Sequence, residues 1–494
     1  MNKRQTIKVL RRIVMGSILT LGYSACSPFR PDVADSATIK EAWDEFSNPA
    51  DSARTKVWWF HGETETTREG ITADLEAYKR AGVGGVVYYD QVHGKGEHAL
   101  PAFSVEWWEM LKFAASEAKR VGLSFEINLS NGYVAGGPWI TKALSMQRLT
   151  ASDTIIRGKQ QFAAVLPAPG DDEFWDIAVL AFPVPQNQWM TNNSQRPKVT
   201  CNLPGVSAED FFCKKSRLTT IPPQQPGKSV YINLDFETSF TARSITYRVS
   251  KRSKASTGAM NVPGAPADEF YGSSYVKQPP LGQLEVSDDG INYSKVCDLK
   301  PIYQAAASRW DQKTVSFPAV TGRYFRLNLH DWCLAGDQRP EMALGNVTLS
   351  SRARIDQWEE RAGFYSEYIL KNLTPAYTDE EIIDLKTIVD LTSKMGTDGR
   401  LEWDVPEGDW VIMRFAHEST GGPSKHGRAN LKGLECDKMS VEAVTTQWNN
   451  YAARMIDTLS AINVKPDGVI MDSHEAGAQN WTCLLYTSDA ADEL

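Results

Sequence analysis

Cysteine is scarce and poorly spaced for chemistry. Once Cys26 and Cys483 in the terminal segments are set aside, Cys201, Cys213, Cys297, Cys333 and Cys436 remain. An odd number at irregular intervals gives no CxxC metal site and no clear disulfide framework, leaving Cys201 with Cys213 and Cys297 with Cys333 as the pairs to test. Basic blocks are also missing: the net charge of -8 is spread along the chain, so nothing favours nucleic acid as a partner. No GxGxxG follows the first strand and no GxxxxGKS occurs anywhere, which removes the glycines that cradle phosphates in dinucleotide and nucleotide sites. The apolar stretch Ile13 to Leu21 is too short to span a bilayer as a permanent helix.

What is present is an ordinary soluble composition, 42% hydrophobic and 23% charged over 494 residues, a length that suggests about two to four domains. The 15 Trp are rather many, and several fall in loops. Sugar rings pack flat C–H faces on indole, so this is compatible with carbohydrate, although Trp also simply fills cores. Lys3, Arg4, Lys8, Arg11 and Arg12 precede the Ile13 to Leu21 stretch, and small residues lead to Ser24-Ala25-Cys26, an export signal over 1–26. Cys26 resembles the lipidated residue of a bacterial lipoprotein, with Tyr23 where Leu is usual; lipidation and simple cleavage both remain open. Either way the mature chain is exported, to the periplasm or the outer-membrane surface of a Gram-negative bacterium. Any membrane contact then runs through that anchor.

Residues 27–54 read as a tether. The segment 55–149 alternates strand and helix: Lys56 to Gly62, a helix opened by the Thr66 and Glu69 capping pattern and followed by Gly82, a strand Gly85 to Asp90, a helix with Trp108, Leu111, Ala115, Ala118 and Val121 on one face, and a strand Leu123 to Leu129. Such spacing predicts parallel strands with right-handed crossovers. From 150 to 435 the sequence becomes short alternating runs broken by Pro, Gly, Asn and Asp, predicting a β-sandwich region. Helical periodicity resumes after Ser440, through Val441, Val444, Trp448, Tyr451, Met455, Leu459 and Ile462, within a continuation at 436–482. The predicted fold is therefore α/β plus β: the N-terminal half of a (β/α)8-type barrel, interrupted after its third strand by a jelly-roll-like sandwich.

The stretch Gly468 to Thr482, GVIMDSHEAGAQNWT, is a buried-type strand running into a polar cluster. In a barrel, chemistry is assembled above the C-terminal ends of the strands. That rim collects His61, Glu63, Asp90, His93, Asn128, Asn131 and Trp139 from the first three strands, and Asp472, Glu475, Asn480 and Trp481 from the fourth. Ordinary loop acids would look similar. Glycoside hydrolysis needs one carboxylic acid to protonate the leaving oxygen and, for inversion, a carboxylate to activate water on the other face. Glu475, beside an apolar strand end and near Asp472, has the setting that raises a carboxyl pKa. Glu435 and Asp437 stand just before a helix, where N-terminal charge alone also explains them. No base is identified.

VWWFHG, REGITADLEAYKRAGVGG, NGYVAGGPWITKALSMQ, GLECDKMS and DSHEAGAQNWT occur in the order and spacing that resemble glycoside hydrolase family 106, the α-L-rhamnosidases, over about 55–482. LEVSDDGINY followed by GRYFRLNL is similar to discoidin-like jelly-roll modules, over about 229–349. The family resemblance implies a barrel interrupted by β-domains, an inverting mechanism, a calcium ion helping to hold the sugar, rhamnose-containing glycans as substrates and Glu475 as general acid. His474 stands where Trp is common and Asn131-Gly132-Tyr133 where Ser-Gly-Trp is common, changes that bear on subsite shape. The expected sugar contacts are His61, Asp90, Asn128, Asn131, Trp139, Asp472, Asn480 and Trp481. Residues 483–494 match nothing expected after NWT and resemble a translated sequencing adapter, so an artefactual tail and a missing second half-barrel, with the base, are expected. A glycosidase of other specificity and a non-catalytic carbohydrate-binding protein are the alternatives.

Overall fold

A computed structural model describes residues 36–482 except 93–97, 171–172, 186–187, 214–217, 224–226, 251–279, 303–310, 331, 333–340, 365–373 and 473–476. After a helix at Ser36–Ser47 the chain forms β1 (Lys56–His61), α1 (Arg68–Arg80), β2 (Gly85–Asp90), α2 (Val105–Val121) and β3 (Ser124–Asn128). β1 pairs in parallel with β2, and β2 with β3. Alternation along β1 sends Trp59 and His61 toward the helices and leaves Trp58 and Phe60 half exposed on the other face. On the helix side, Ile71, Leu75, Trp107, Leu111, Ala115 and Ala118 pack on Trp59, Val86, Tyr88, Phe125 and Ile127 in one core. The cap of α1 is Thr67, not Thr66: the Thr67 hydroxyl accepts from Gly70 N at 3.0 Å, because Thr67 is the residue in extended backbone just ahead of the first turn.

Among the described residues, strands are the main regular elements of the intervening region. β4 (Gln147–Ile156), β5 (Gln160–Val165) and β6 (Phe174–Pro183) come first, followed by β7 (Val230–Val249), β8 (Gly282–Ser287), β9 (Ser294–Leu299), β10 (Gln312–Leu329) and β11 (Met342–Ser350). β12 (Arg400–Val405) and β13 (Trp410–Ser419) complete it. β7 to β11, with short strands at Lys198–Cys201 and Thr219–Ile221, make one antiparallel seven-stranded sheet. Its two long strands, β7 and β10, shift register between Asp235 and Phe240 and again between Ala242 and Ser244. Residues from both halves of these strands, such as Ile232, Leu234, Ile245, Tyr247, Val315 and Leu327, share one core. β13 lies between β4 and β6 in a second antiparallel sheet, and β12 pairs with β5. Cys201, Cys213 and Cys297 are unbonded, so the expected Cys201–Cys213 pair is absent; Cys333 lies outside the described residues.

After Ser440, whose hydroxyl caps Ala443 N, the chain forms α3 (Val441–Asn450) and α4 (Ala452–Ser460) rather than one helix. Tyr451, at φ -126° and ψ -79°, interrupts it. The buried positions are Ala443, Gln447, Tyr451, Ala452, Met455 and Leu459, while Val444 and Trp448 of the expected face remain partly exposed. The chain then enters β14 (Gly468–Ile470), which pairs in parallel with β3. The strand-rich region thus falls between two neighbouring strands of a parallel sheet ordered β1-β2-β3-β14.

Candidate active site

Parallel register brings all four strand C-termini to one edge. His61 is opposite Asp90, and Asp472 follows the end of β14. Asp90 is buried, and its Oδ1 accepts from Arg428 Nε at 2.9 Å and Nη2 at 2.7 Å while its Oδ2 accepts from Tyr451 Oη at 3.1 Å. A charge this deep is tolerated because a cation and several donors surround it. Arg428 N donates to Asn131 Oδ1 at 3.1 Å, and Asn128 Nδ2 holds the Ser130–Gly132 turn through the carbonyls of both residues. Gly132, at φ +93°, lies so close to the Lys425 carbonyl that a Cβ would sit 2.1 Å from it, so only glycine lets the 425–428 segment pass.

His61 stacks on Tyr88 with ring centroids 4.4 Å apart and meets Trp59 edge-on. Burial, against the field of Asp90, lowers its pKa from 6.5 to about 4, so the ring is neutral at pH 7. Toward the other side of the edge, Tyr89 Oη donates to Asp472 Oδ2. Burial first, and then that hydrogen bond, push the phenol well above its ordinary range. Asp472 is therefore held as an acceptor immediately ahead of the Glu475 segment.

Beside these strand ends three separated motifs converge. Gly136 and Gly137 pair antiparallel with Glu435 and Leu434, and a Cβ on Gly136 would stand 2.3 Å from the Leu434 carbonyl. Glu435 is fully buried and ion-paired with Lys438, whose ammonium burial lowers to a pKa of about 8. Asp437 accepts from Gln479 Nε2 at 2.6 Å, Thr482 Oγ1 at 2.7 Å and Met439 N at 3.0 Å. Trp139 Nε1 donates to Gln447 Oε1, and Gln447 in turn donates to the Leu129 carbonyl. Both ends of the Asn480 amide are taken by backbone: Oδ1 by Leu149 N and Nδ2 by the Ala362 carbonyl, each at 2.8 Å.

The structure thus gathers His61, Asp90, Asn128, Asn131 and Asp472 at the strand ends, ties Trp139 to Gln447, and sets Asn480 and Trp481 between Gln479 and Thr482, which Asp437 holds. Asp90 and Asn131 serve Arg428, and Asn480 serves the main chain. Glu475 lies outside the described residues, as do His93 and Cys26. Arg428 and Tyr89 carry no sequence signal for the site, and Tyr451 is expected from the sequence only as part of a helix face. A carboxylate ending a buried strand demands a cation, but Arg428 stands in a loop with no local pattern to identify it. Among the described residues no group of three or more His, Cys, Asp or Glu is placed to hold a metal ion. Among the described residues, the edge presents a neutral imidazole at His61, a buried Asp90–Arg428 ion pair and the Asp472 carboxylate held by Tyr89.

A family model described as alpha-L-rhamnosidase, glycoside hydrolase family 106, matches residues 47–488. The solved rhamnosidase from Novosphingobium sp. PP1Y superposes with a TM-score of 0.70 at 26% identity, over 89% of this chain and 40% of that one. A curated protein of Formosa agariphila, named as a β-glucuronidase, is 22% identical over 469 residues, covering 94% of this chain. The chain spans 26% of that relative's length.

Proposed function

Since the chain belongs to glycoside hydrolase family 106, we propose that it acts as an exported glycosidase removing α-L-rhamnosyl residues from plant-type polysaccharide side chains or glycosides. The observation that carries this reading is that GLECDK joins the other two motifs beside the C-terminal ends of the parallel strands, pairing through Leu434 and Glu435 with the glycines of GGPWIT and holding Gln479 and Thr482 of AQNWT through Asp437. Such an edge is where barrel enzymes assemble their chemistry. In the finer fold reading, β1, β2, β3 and β14 are the first four strands of a (β/α)8-type barrel with domains as divided above. β7 to β11 are then a curled sandwich inserted between its third and fourth strands.

Glu475 is the proposed general acid. It follows Asp472, which Tyr89 holds, and precedes Gln479, which Asp437 holds. A protonated carboxyl there delivers its proton to the glycosidic oxygen as the bond to the anomeric carbon breaks, and water attacks the opposite face with inversion. The export signal supports a location outside the cytoplasm, with Cys26 as lipid anchor. The family resemblance supports calcium at the sugar.

Hydrolysis of p-nitrophenyl α-L-rhamnoside by the protein expressed from its complete gene, followed by proton NMR, tests the reading. Release of β-L-rhamnose first, with loss of rate in a chelator restored by calcium, is the expected result. Initial α-product contradicts inversion, and turnover of a β-D-glucuronide in preference moves the specificity to that of the Formosa relative's name.

A further inference from the structure

One face of the β6-β13-β4 sheet carries a strip of side chains that the proposed mechanism does not use. Trp175 on β6 is directly opposite His417 on β13, and His417 is directly opposite Leu149 on β4. Directly opposed residues lie on the same face, and so do residues two apart on one strand. Gln147, two before Leu149, therefore shares that face, and it bridges to Trp481. The rings follow this ladder: His417 stacks on Trp175 at 5.3 Å and 23°, and on Trp481 at 6.2 Å and 26°. All three rings are partly buried and keep some exposure.

The polar edge of the strip is also defined. Gln147 Nε2 donates to the Lys142 and Ser145 carbonyls, so its Oε1 is the acceptor for His417 Nδ1 at 2.9 Å. That fixes the tautomer, with the proton on Nδ1 and a lone pair on Nε2. Burial lowers the His417 pKa, with Asp437 opposing, which keeps the ring in that neutral form. Partly exposed indoles flanking an imidazole with an acceptor nitrogen suit a pyranose, which offers a C–H face and hydroxyl protons.

We infer that Trp175, His417 and Trp481 form a subsite for a sugar ring of the glycan on the leaving-group side of the scissile bond. The strip adjoins the candidate active site, because Trp481 lies between Gln479 and Thr482, both held by Asp437. Two elements build it: the strand-rich region supplies Trp175 and His417, and the segment after β14 supplies Trp481. Substrate choice beyond the terminal sugar is then made by the intervening region, a role that rests on the glycosidase reading for its catalytic consequence but not for binding.

Two measurements separate the claims. Titration calorimetry with a rhamnosylated oligosaccharide, on Glu475→Gln protein with and without Trp175→Ala or His417→Ala, reads the subsite; kinetics with α-L-rhamnosyl fluoride, whose leaving group is one atom, read the chemistry. The expected result is about tenfold weaker oligosaccharide binding in each variant, the effect of removing one stacked ring, with rhamnosyl fluoride turnover of the same substitutions in the Glu475 protein unchanged within about twofold. Trp175→Phe, which keeps a flat face, restores most of the binding, and stands in if Trp175→Ala does not fold. Unchanged oligosaccharide affinity in both alanine variants, or equal losses on the two ligands, overturns the subsite. Binding that depends on Trp175 in a wild type that turns over neither substrate keeps the subsite and removes the glycosidase.

Discussion

The buried imidazole of His61 gives a stability signal whose sign and size follow from its surroundings. The ring is 6% exposed, packed between Trp59 and Tyr88, and its pKa falls from 6.5 to about 4, mainly through burial. Above pH 6.5 the ring is neutral in both folded and unfolded chains. Between pH 6.5 and 4 the unfolded chain takes a proton that the folded one refuses, so stability present above pH 6.5 is lost as pH falls toward 4. At 1.36 kcal/mol per unit, that loss is about 3 kcal/mol. His61→Phe preserves the aromatic stack and removes the titration. Urea unfolding, followed by the fluorescence change of the parallel-sheet unit at half-unit steps from pH 7.5 to 4, should show the wild type losing about 3 kcal/mol more than His61→Phe over that window. Parallel pH dependences would refute the buried, neutral histidine.

Other outcomes follow from the same contacts. Arg428→Met leaves Asp90 buried without its cation and should lower stability by about 3–5 kcal/mol in urea, whereas pairing it with Asp90→Leu should recover much of the loss; a cost near zero for the single change contradicts the network. Asp437→Asn removes the carboxylate that Gln479 and Thr482 share, and should lower kcat on aryl rhamnoside about tenfold to a hundredfold through misplacement of the acid segment, with rate unchanged if that segment is held by other contacts. Thiol labelling under denaturing conditions without reductant, followed by peptide mapping, should find Cys201 and Cys213 both labelled; labelling only after reduction would restore the pair that the structure lacks.

The parts legible in the sequence are those where a local pattern and the final packing agree. β1, β2 and β3 stand where short apolar runs end in turn signals, and Leu111, Ala115 and Ala118 face the core as helical spacing requires. Where two patterns nearly coincide, the sequence misleads by one residue or one turn. Thr66 with Glu69 offers a capping box, but Thr67 holds the extended backbone. Val444 and Trp448 look like a core face, yet Gln447 is buried because its amide links Trp139 to the Leu129 carbonyl. Tyr451 ends α3 and reaches Asp90, a contact between residues far apart in the chain that no periodicity encodes. Arg428 and the Trp175–His417 pair are of the same kind: each depends on a loop or strand returning from the intervening region.

The central claim is catalytic, and Glu475→Gln tests it most directly. The full-length protein and this variant should be compared on an alkyl α-L-rhamnoside, whose poor leaving group needs protonation, and on α-L-rhamnosyl fluoride, whose leaving group does not. The account predicts a fall in kcat of about a hundredfold or more on the alkyl glycoside, in the range of general-acid contributions, and a much smaller change on the fluoride. Equal rates for variant and wild type on the alkyl glycoside would contradict Glu475 as the acid.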